Sequence, residues 1–101
     1  MASSNSSTPV LDLLTSMTLD SISASSLEPR ELMIARLAAL IAIDAPVMSY
    51  ATNVETAVEV GIDAERAQGI LAAVAPIVGT ARVVSASTKL AEALALEVEE
   101  L

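Results

Sequence analysis

Apolar residues recur every three to four positions along most of the chain, and no stretch alternates strictly between apolar and polar residues. A period of three to four is typical of an amphipathic α-helix, whereas a half-buried strand has a period of two. The pattern therefore predicts an all-α protein with five to six helices. Their boundaries are predicted at prolines, glycines and capping side chains such as Pro29, Gly61 and Asp63.

The most apolar predicted helix runs from Leu32 to Ile43 and carries one charged residue, Arg36. Because a helix that is apolar on all sides needs neighbours on most of them, we expect this helix to be the most buried. Two interpretations of Arg36 are open. In the first, its stem lies along apolar surface with its charge in water, or the charge pairs with an acid such as Asp44 or Glu55. In the second, it faces a pocket and binds an anionic ligand.

The ends of the chain differ from its middle. The small polar residues at the start predict a disordered tail over residues 1–7, followed by a single helical domain over residues 8–101. Thr8 and Pro9 predict the N-cap and first position of the first helix. Thr18 is then expected to cap a second, short helical turn.

The last predicted helix, from about Thr80 to Glu97, presents a broad apolar face of Val83, Leu90 and Leu94, with Val84 and Leu96 on its flanks. Five or six short helices cannot cover this face and every side of an all-apolar central helix as well. We therefore expect a homo-oligomer whose copies meet through aliphatic surfaces.

Charge and length exclude several kinds of partner. The chain carries 13 acidic and 5 basic residues, a net charge of −8, and its basic residues are isolated from one another. Nucleic acids and anionic membrane surfaces attract clustered lysine and arginine, so neither is an expected partner. No apolar run approaches the roughly 20 residues that span a bilayer. The N-terminus also lacks a secretory apolar core, so we expect a cytoplasmic protein.

The sequence contains no cysteine and no histidine. Thiolate chemistry, disulfides and thiolate metal ligands are therefore excluded. The acidic residues show no spacing typical of a metal site, and no glycine-rich phosphate loop is present. We expect neither a metal nor another cofactor.

Several short motifs follow one another in a defined order. They are Arg30-Glu31-Leu32 at a helix start, Ala57-x-x-x-Gly61, Asp63-Ala64-Glu65, and Gly79 before the last helix. Their order and spacing resemble the carboxymuconolactone decarboxylase family, which includes the alkylhydroperoxidase D group. The resemblance covers roughly Leu13 to Leu94. It implies a compact helical domain and a trimer or a hexamer, since relatives commonly form such assemblies.

The alkylhydroperoxidase D group opens a helix with Cys-x-x-Cys-x-x-x-His, and its histidine lies four residues before the alanine of Ala-x-x-x-Gly. Counting back from Ala57 places Asn53 at the histidine, Ser49 at the second cysteine and Pro46 at the first. None of these side chains can form a disulfide or titrate near neutral pH. The resemblance thus implies the family's scaffold in a pseudoenzyme, without peroxidase or histidine-dependent chemistry.

The polar side chains that remain near this position are candidate pocket residues, namely Arg36, Ser49, Tyr50, Thr52 and Asn53. They can bond one another and nearby backbone, as buried polar groups usually do. They can also line a pocket for a small organic ligand, or Tyr50 and Arg36 can take part in catalysis. Two functions follow: an oligomeric binding or assembly module, and an enzyme of altered, decarboxylase- or lyase-like chemistry acting on a small organic substrate.

Overall fold

The computed structural model describes the backbone of residues 7–100 and the side chains of residues 7–96. This range forms five α-helices and no strand, so the all-α prediction is confirmed. The helices are α1 (Pro9–Ala24), α2 (Pro29–Ala42), α3 (Val47–Glu59), α4 (Ala64–Val78) and α5 (Thr80–Glu100). The predicted tail falls outside the described residues, except for Ser7, which is exposed.

The core is formed by one face of each helix from α2 to α5. Helix α2 contributes a stripe of Met33, Leu37 and Ile41, which are four residues apart and therefore share one face. Helices α3, α4 and α5 all contact α2, and α3 and α4 also lie against α5. These contacts bury the apolar stripes of four helices against one another.

Helix α2, which was expected to be the most buried helix, is partly exposed. It has three buried residues, as many as α3 or α4. Ile34 is exposed on its outer side, and Ile43, just beyond its end, keeps 69% of its surface exposed. The reason is geometric: the other helices of the same chain cover only part of the circumference of α2.

The joint between α3 and α4 follows the predicted capping pattern. Gly61 has a φ of +90°, a conformation that side chains disfavour. Arg30 Nε donates to the carbonyl of Val60 over 2.9 Å, which places a positive charge at the C-terminus of α3. The carboxylate of Asp63 accepts from the backbone N–H of Arg66 over 2.9 Å and caps α4 as predicted.

Helix α1 is a single helix of 16 residues, so the predicted second turn starting at Thr18 is wrong. The Thr18 hydroxyl donates to the carbonyl of Leu14 over 2.9 Å. A threonine hydroxyl bonded to the carbonyl four residues earlier stays compatible with the helix, so no new N-cap forms.

The centre of the apolar face predicted for contact between copies on α5 packs inside its own chain, whereas Val84 and Leu96 on the flanks of this face are exposed. Leu90 is buried, and Val83 and Leu94 are half-buried against the same core. These side chains lie on the helix that contacts α3 and α4. The sequence pattern shows that such a face is apolar but does not show which helices cover it.

Helix α1 is the part of the described chain with the least packing. It has no buried residue. Seven large apolar side chains are 48% to 66% exposed: Val10, Leu11, Leu13, Leu14, Met17, Leu19 and Ile22. Among the described residues, no helix is both long enough and apolar enough to cross a bilayer. The uncovered apolar surface of α1 is thus a feature of an otherwise packed helical domain.

Candidate functional site

Two neighbouring clefts open where α1 meets α2 and α3. The first has a volume of about 330 Å³ and the second about 210 Å³. Thr18, Arg36 and Asn53 border both clefts. The second cleft is otherwise mostly apolar, with Ile22 and Leu27 on its wall. The structure therefore brings three of the predicted pocket residues, Arg36, Thr52 and Asn53, to one site.

Arg36 is half-buried at this site, and its partners differ from the expected ones. Its Nη2 donates to Ser21 Oγ over 3.1 Å and to the carbonyl of Thr18 over 3.4 Å. The expected pairing with Asp44 is wrong, because Asp44 pairs with Lys89 instead. The acceptors described for Arg36 are neutral, and a guanidinium keeps its charge in proteins. A positive charge therefore stands beside the two clefts.

The amide of Asn53 is held by its own helix. Its Nδ2 donates to the carbonyl of Ser49 over 2.8 Å and lies 3.4 Å from Thr52 Oγ1. Thr52 Oγ1 donates to the same Ser49 carbonyl over 2.9 Å. Ser49 is half-buried and borders neither cleft, so its contribution here is made by its backbone. These bonds fix the orientation of the Asn53 side chain at the cleft wall.

Tyr50 lies apart from the clefts. It is 0% exposed, packs in the hydrophobic core, and borders neither cleft. Its hydroxyl has no hydrogen-bond partner among the described residues, so Tyr50 does not bond the other candidate pocket residues through its side chain. Burial raises the pKa of the Tyr50 phenol, and the negative charge of Asp44 raises it further. Tyr50 in this position is a core residue that cannot touch a ligand in either cleft.

A polar cluster that the sequence did not predict surrounds Asp44. The Asp44 carboxylate accepts from Ser85 Oγ over 2.7 Å and from Lys89 Nζ over 2.9 Å, and Arg82 donates to the carbonyl of Ala42. The hydrogen bonds from Lys89 and Ser85, together with nearby positive charge, lower the pKa of Asp44. These bonds link the loop between α2 and α3 to helix α5.

One member of this cluster, Asp44, could have been identified from the sequence. Asp44 has a φ of +53°, and aspartate is one of the few side chains that tolerate this conformation. From the sequence, Asp44 was interpreted only as a possible partner of Arg36. Its partners, Ser85 and Lys89, lie more than forty positions away, and no local pattern relates them.

A third, larger hollow lies on the other side of α2. This groove has a volume of about 560 Å³ and runs between α2 and α4. Its wall is mostly apolar, with Asp63, Glu65 and Arg66 near the start of α4. Gly69 and Ala73 lie four residues apart on α4 and therefore share one face. Because small side chains leave space above a helix, this pair could have indicated the groove from the sequence.

The described residues contain no group of three or more acidic side chains placed to hold a metal ion. Comparisons of the chain with family models, with curated proteins and with solved structures return no match. The resemblance to the carboxymuconolactone decarboxylase family therefore stays a prediction that rests on the order of its motifs.

Proposed function

We propose that this protein is a helical binding and assembly module that works as a homo-oligomer, on a scaffold like that of the carboxymuconolactone decarboxylases and without their redox or histidine-based chemistry. The observation that supports this most is the uncovered apolar surface of α1. All seven of its large apolar side chains are about half exposed or more, and none of its residues is buried.

Such a helix needs a partner surface to be stable. An isolated helix shorter than about 12–15 residues is marginal in water, and most helices in proteins are stabilised by packing of an apolar face. Helix α1, with 16 residues, is only just longer than this limit and has no buried face in the single chain, so it lacks the packing that stabilises most helices. Contiguous exposed apolar surface on a soluble domain usually marks an interaction site.

The resemblance implies a second copy of the same chain as the partner; the two copies repel each other through their net charges of −8, so their contact has to be apolar. The apolar side chains of α1 supply an interface that keeps most acidic groups away from the contact. The resemblance predicts a trimer or a hexamer, with three or six chains of 10.4 kDa.

Sedimentation velocity on the full chain at micromolar concentration and moderate salt tests this proposal. A single species of about three or six times the 10.4 kDa chain mass is expected. A single species at the mass of one chain, unchanged on raising the concentration, would refute assembly.

A second candidate function is favoured by the position of Arg36. Its charge stands beside two clefts with apolar walls and is bonded to neutral acceptors. A small organic anion with an apolar tail would complement this arrangement, because guanidinium groups bind carboxylates through paired hydrogen bonds. An enzyme of altered chemistry at this site would depend on Arg36 and Asn53, since Tyr50 lies in the core.

Calorimetric titration with short-chain aliphatic carboxylates tests the ligand site. Saturable binding that is lost in Arg36→Gln is expected if the clefts accept an anion. Equal heats for the wild-type chain and Arg36→Gln would exclude Arg36 as an anion-binding group.

A further inference from the structure

We infer that Arg36 is a latch that holds α1 in place, and that an aliphatic carboxylate bound to its guanidinium releases α1 from the rest of the chain. The latch consists of the hydrogen bonds from Arg36 Nη2 to Thr18 and Ser21. Its release rests on the second candidate function, the binding of an organic anion beside Arg36, and makes that binding a control of the position of α1.

Helix α1 is attached to the rest of the domain mainly through one side chain. None of its residues is buried, and it packs less closely on the other helices than they pack on one another. Within the described residues of α1, the groups bonded to another helix are the Thr18 carbonyl and the Ser21 hydroxyl, and Arg36 donates to both. The hold on α1 therefore depends on the partners of a single guanidinium.

Part of the inward side of α1 is separated from α2 by a gap. Val10, Leu14 and Met17 share the helix face of Ser21, which is turned toward Arg36. Even so, their side chains are 66%, 50% and 56% exposed. The first cleft lies in this gap, with Met17 on one wall and residues of α2 on the other. Little apolar contact therefore keeps α1 in place once the bonds to Arg36 are lost.

The geometry of a guanidinium makes α1 and a carboxylate competitors. A carboxylate binds this group best through two parallel hydrogen bonds along one edge of its plane. The edges that present paired N–H groups are Nε with Nη2 and Nη1 with Nη2, so both include Nη2. Arg36 Nη2 has two N–H groups and already has two acceptors on α1. A carboxylate on either edge therefore displaces the Ser21 hydroxyl or the Thr18 carbonyl.

Charge favours the carboxylate over the groups that it displaces. Both acceptors on α1 are neutral, so they lack the attraction between opposite charges that a carboxylate adds. Arg36 is half-buried, and salt screens such an attraction less there than at a fully exposed site. In the described part of the chain, no acidic side chain borders either cleft, so a bound anion meets no like charge.

The second cleft fits the aliphatic part of such a ligand. The apolar residues on its wall include Ile22, Leu27, Leu32 and Met33. Its volume of about 210 Å³ lies below the roughly 300–1,000 Å³ of sites for drug-sized ligands, so a small ligand is favoured. Hexanoate, which joins a carboxylate to a short unbranched tail, is therefore a suitable probe.

The connection that follows α1 can serve as a hinge. It consists of residues 25–28, and both Ser25 and Glu28 have extended backbone conformations. Pro29 stands at the first position of α2, where its fixed φ suits the start of a helix. Hinges are usually a few loop residues between rigid elements. Because α1 has no buried residue, a change over residues 25–28 can move it without disturbing the core.

Limited proteolysis by thermolysin and calorimetric titration with hexanoate, on the full chain, test the latch together. At the lowest workable protein concentration, the rate of cleavage within α1 is expected to rise about fivefold at saturating hexanoate, near the lower end of the roughly 5–150-fold range of coupled sites. The rise is expected to follow the calorimetric saturation. Hexanol, which has the same tail and no charge, is expected to leave the rate unchanged, as is hexanoate with Arg36→Gln.

Reciprocity between the two events gives a second readout. If α1 and the ligand compete for Arg36, weakening the hold on α1 has to raise the affinity for the ligand. Ser21→Ala is therefore expected to lower the Kd for hexanoate about threefold, as fits the loss of one modest hydrogen bond. Ser23→Ala is the matched control, because Ser23 lies about 200° round the helix from Ser21 and borders neither cleft. Its Kd is expected to equal that of the wild type.

The outcomes separate failure of the latch from failure of the anion site. Binding of hexanoate without a change in α1 cleavage would overturn the latch and leave the anion site standing. Slower cleavage with hexanoate would overturn it as well, since α1 would then close over the ligand. Equal affinities of the wild type, Ser21→Ala and Ser23→Ala would show that α1 and the ligand do not compete for Arg36. Absence of saturable binding would refute the anion site and the latch together.

Discussion

The guanidinium of Arg36 donates a hydrogen bond to the hydroxyl of Ser21 over 3.1 Å and so joins the last turns of α1 to the middle of α2. The same nitrogen reaches the carbonyl of Thr18 over 3.4 Å. Because no residue of α1 is buried, these polar contacts contribute an unusually large share of its attachment to the domain.

Replacing Arg36 with methionine is expected to loosen α1 while the core stays folded. The substitution keeps an apolar stem and removes the charged donor. Hydrogen bonds to charged groups contribute about 1.5–3 kcal/mol, and partial exposure of Arg36 reduces this to about 1 kcal/mol. The rate of thermolysin cleavage within α1, measured at the lowest workable protein concentration, is expected to rise about fivefold.

Ser21→Ala is the graded control for this substitution. It removes one neutral acceptor and leaves the Thr18 carbonyl, so the cleavage rate is expected to rise less than in Arg36→Met. If both variants are cleaved at the wild-type rate, the bonds from Arg36 do not hold α1 in place.

Alanine substitutions at Gly61 and Gly69 are expected to change the stability of the chain in opposite directions. Gly61 has a positive φ, and an added Cβ would lie 2.7 Å from Arg30 Nη2. Gly61→Ala is expected to lower the free energy of unfolding by about 1–2 kcal/mol. Gly69 lies in a helix with open space beside it, so Gly69→Ala is expected to raise it by about 0.5–1 kcal/mol.

Urea denaturation of both variants and the wild type, at equal protein concentration, measures these changes. A destabilised Gly69→Ala variant would mean that the space above this glycine is filled in the assembled protein. A Gly61→Ala variant as stable as the wild type would contradict the positive φ at this position.

Much of the fold could be predicted from local features of the sequence. Gly61 and Asp63 act within their own turn, so their capping roles could be predicted without knowledge of the rest of the chain. The period of the apolar residues likewise predicted the helices. It could not predict which face of α5 is covered by α3 and α4, so Leu90 was assigned to a contact between copies although it is buried in its own chain.

The candidate site could be predicted only in part. Arg36 and Asn53 were singled out as polar residues in apolar surroundings, and the structure places both beside the same clefts. Tyr50 was grouped with them because it shares a helix with Asn53, yet its side chain points into the core. The partners of Arg36 on α1 could not be predicted, since they depend on how α1 crosses α2.

The single tyrosine provides a test of core burial. Its hydroxyl has no partner among the described residues, so Tyr50→Phe removes a polar group whose burial is uncompensated. The substitution is expected to be neutral or to stabilise the chain by up to about 1 kcal/mol. Thermal unfolding at neutral pH measures this effect, and a loss of more than about 1 kcal/mol would indicate that the hydroxyl is bonded in solution.

The ionisation of Tyr50 extends this test to alkaline pH. Burial and the charge of Asp44 raise the pKa of Tyr50 above its ordinary value of 10.0, so the neutral phenol is favoured in the folded chain. The stability that the chain gains by keeping Tyr50 neutral is fully present below pH 10.0 and is lost as the pH rises through the raised pKa. Tyrosinate absorbance of the folded chain is therefore expected to appear only above pH 10.0. In the same alkaline range, Tyr50→Phe is expected to lose less stability than the wild type.

The Asp44 cluster predicts a pH dependence at the acidic end. Hydrogen bonds from Lys89 and Ser85 lower the pKa of Asp44 below its ordinary value of 3.8. Its contribution to stability is therefore present above pH 3.8 and is lost as pH falls through the lowered pKa. Asp44→Asn keeps a side chain that tolerates the positive φ and removes the charge.

Chemical denaturation of Asp44→Asn and the wild type between neutral and acidic pH isolates this contribution. The variant is expected to be the less stable of the two at neutral pH, and the difference is expected to shrink as the pH falls below 3.8. A difference that stays constant across this range would show that the Asp44 charge is not what stabilises the cluster.

Hydrogen exchange of the α1 amides at two protein concentrations most directly tests the claim that another copy of the chain covers this helix. In the assembly, burial of the exposed apolar side chains of α1 is expected to slow exchange over residues 10–24. Dilution below the dissociation constant is expected to restore fast exchange in α1 while α2 and α3 stay protected. Fast exchange of α1 at every concentration, with the rest of the domain protected, would contradict the claim.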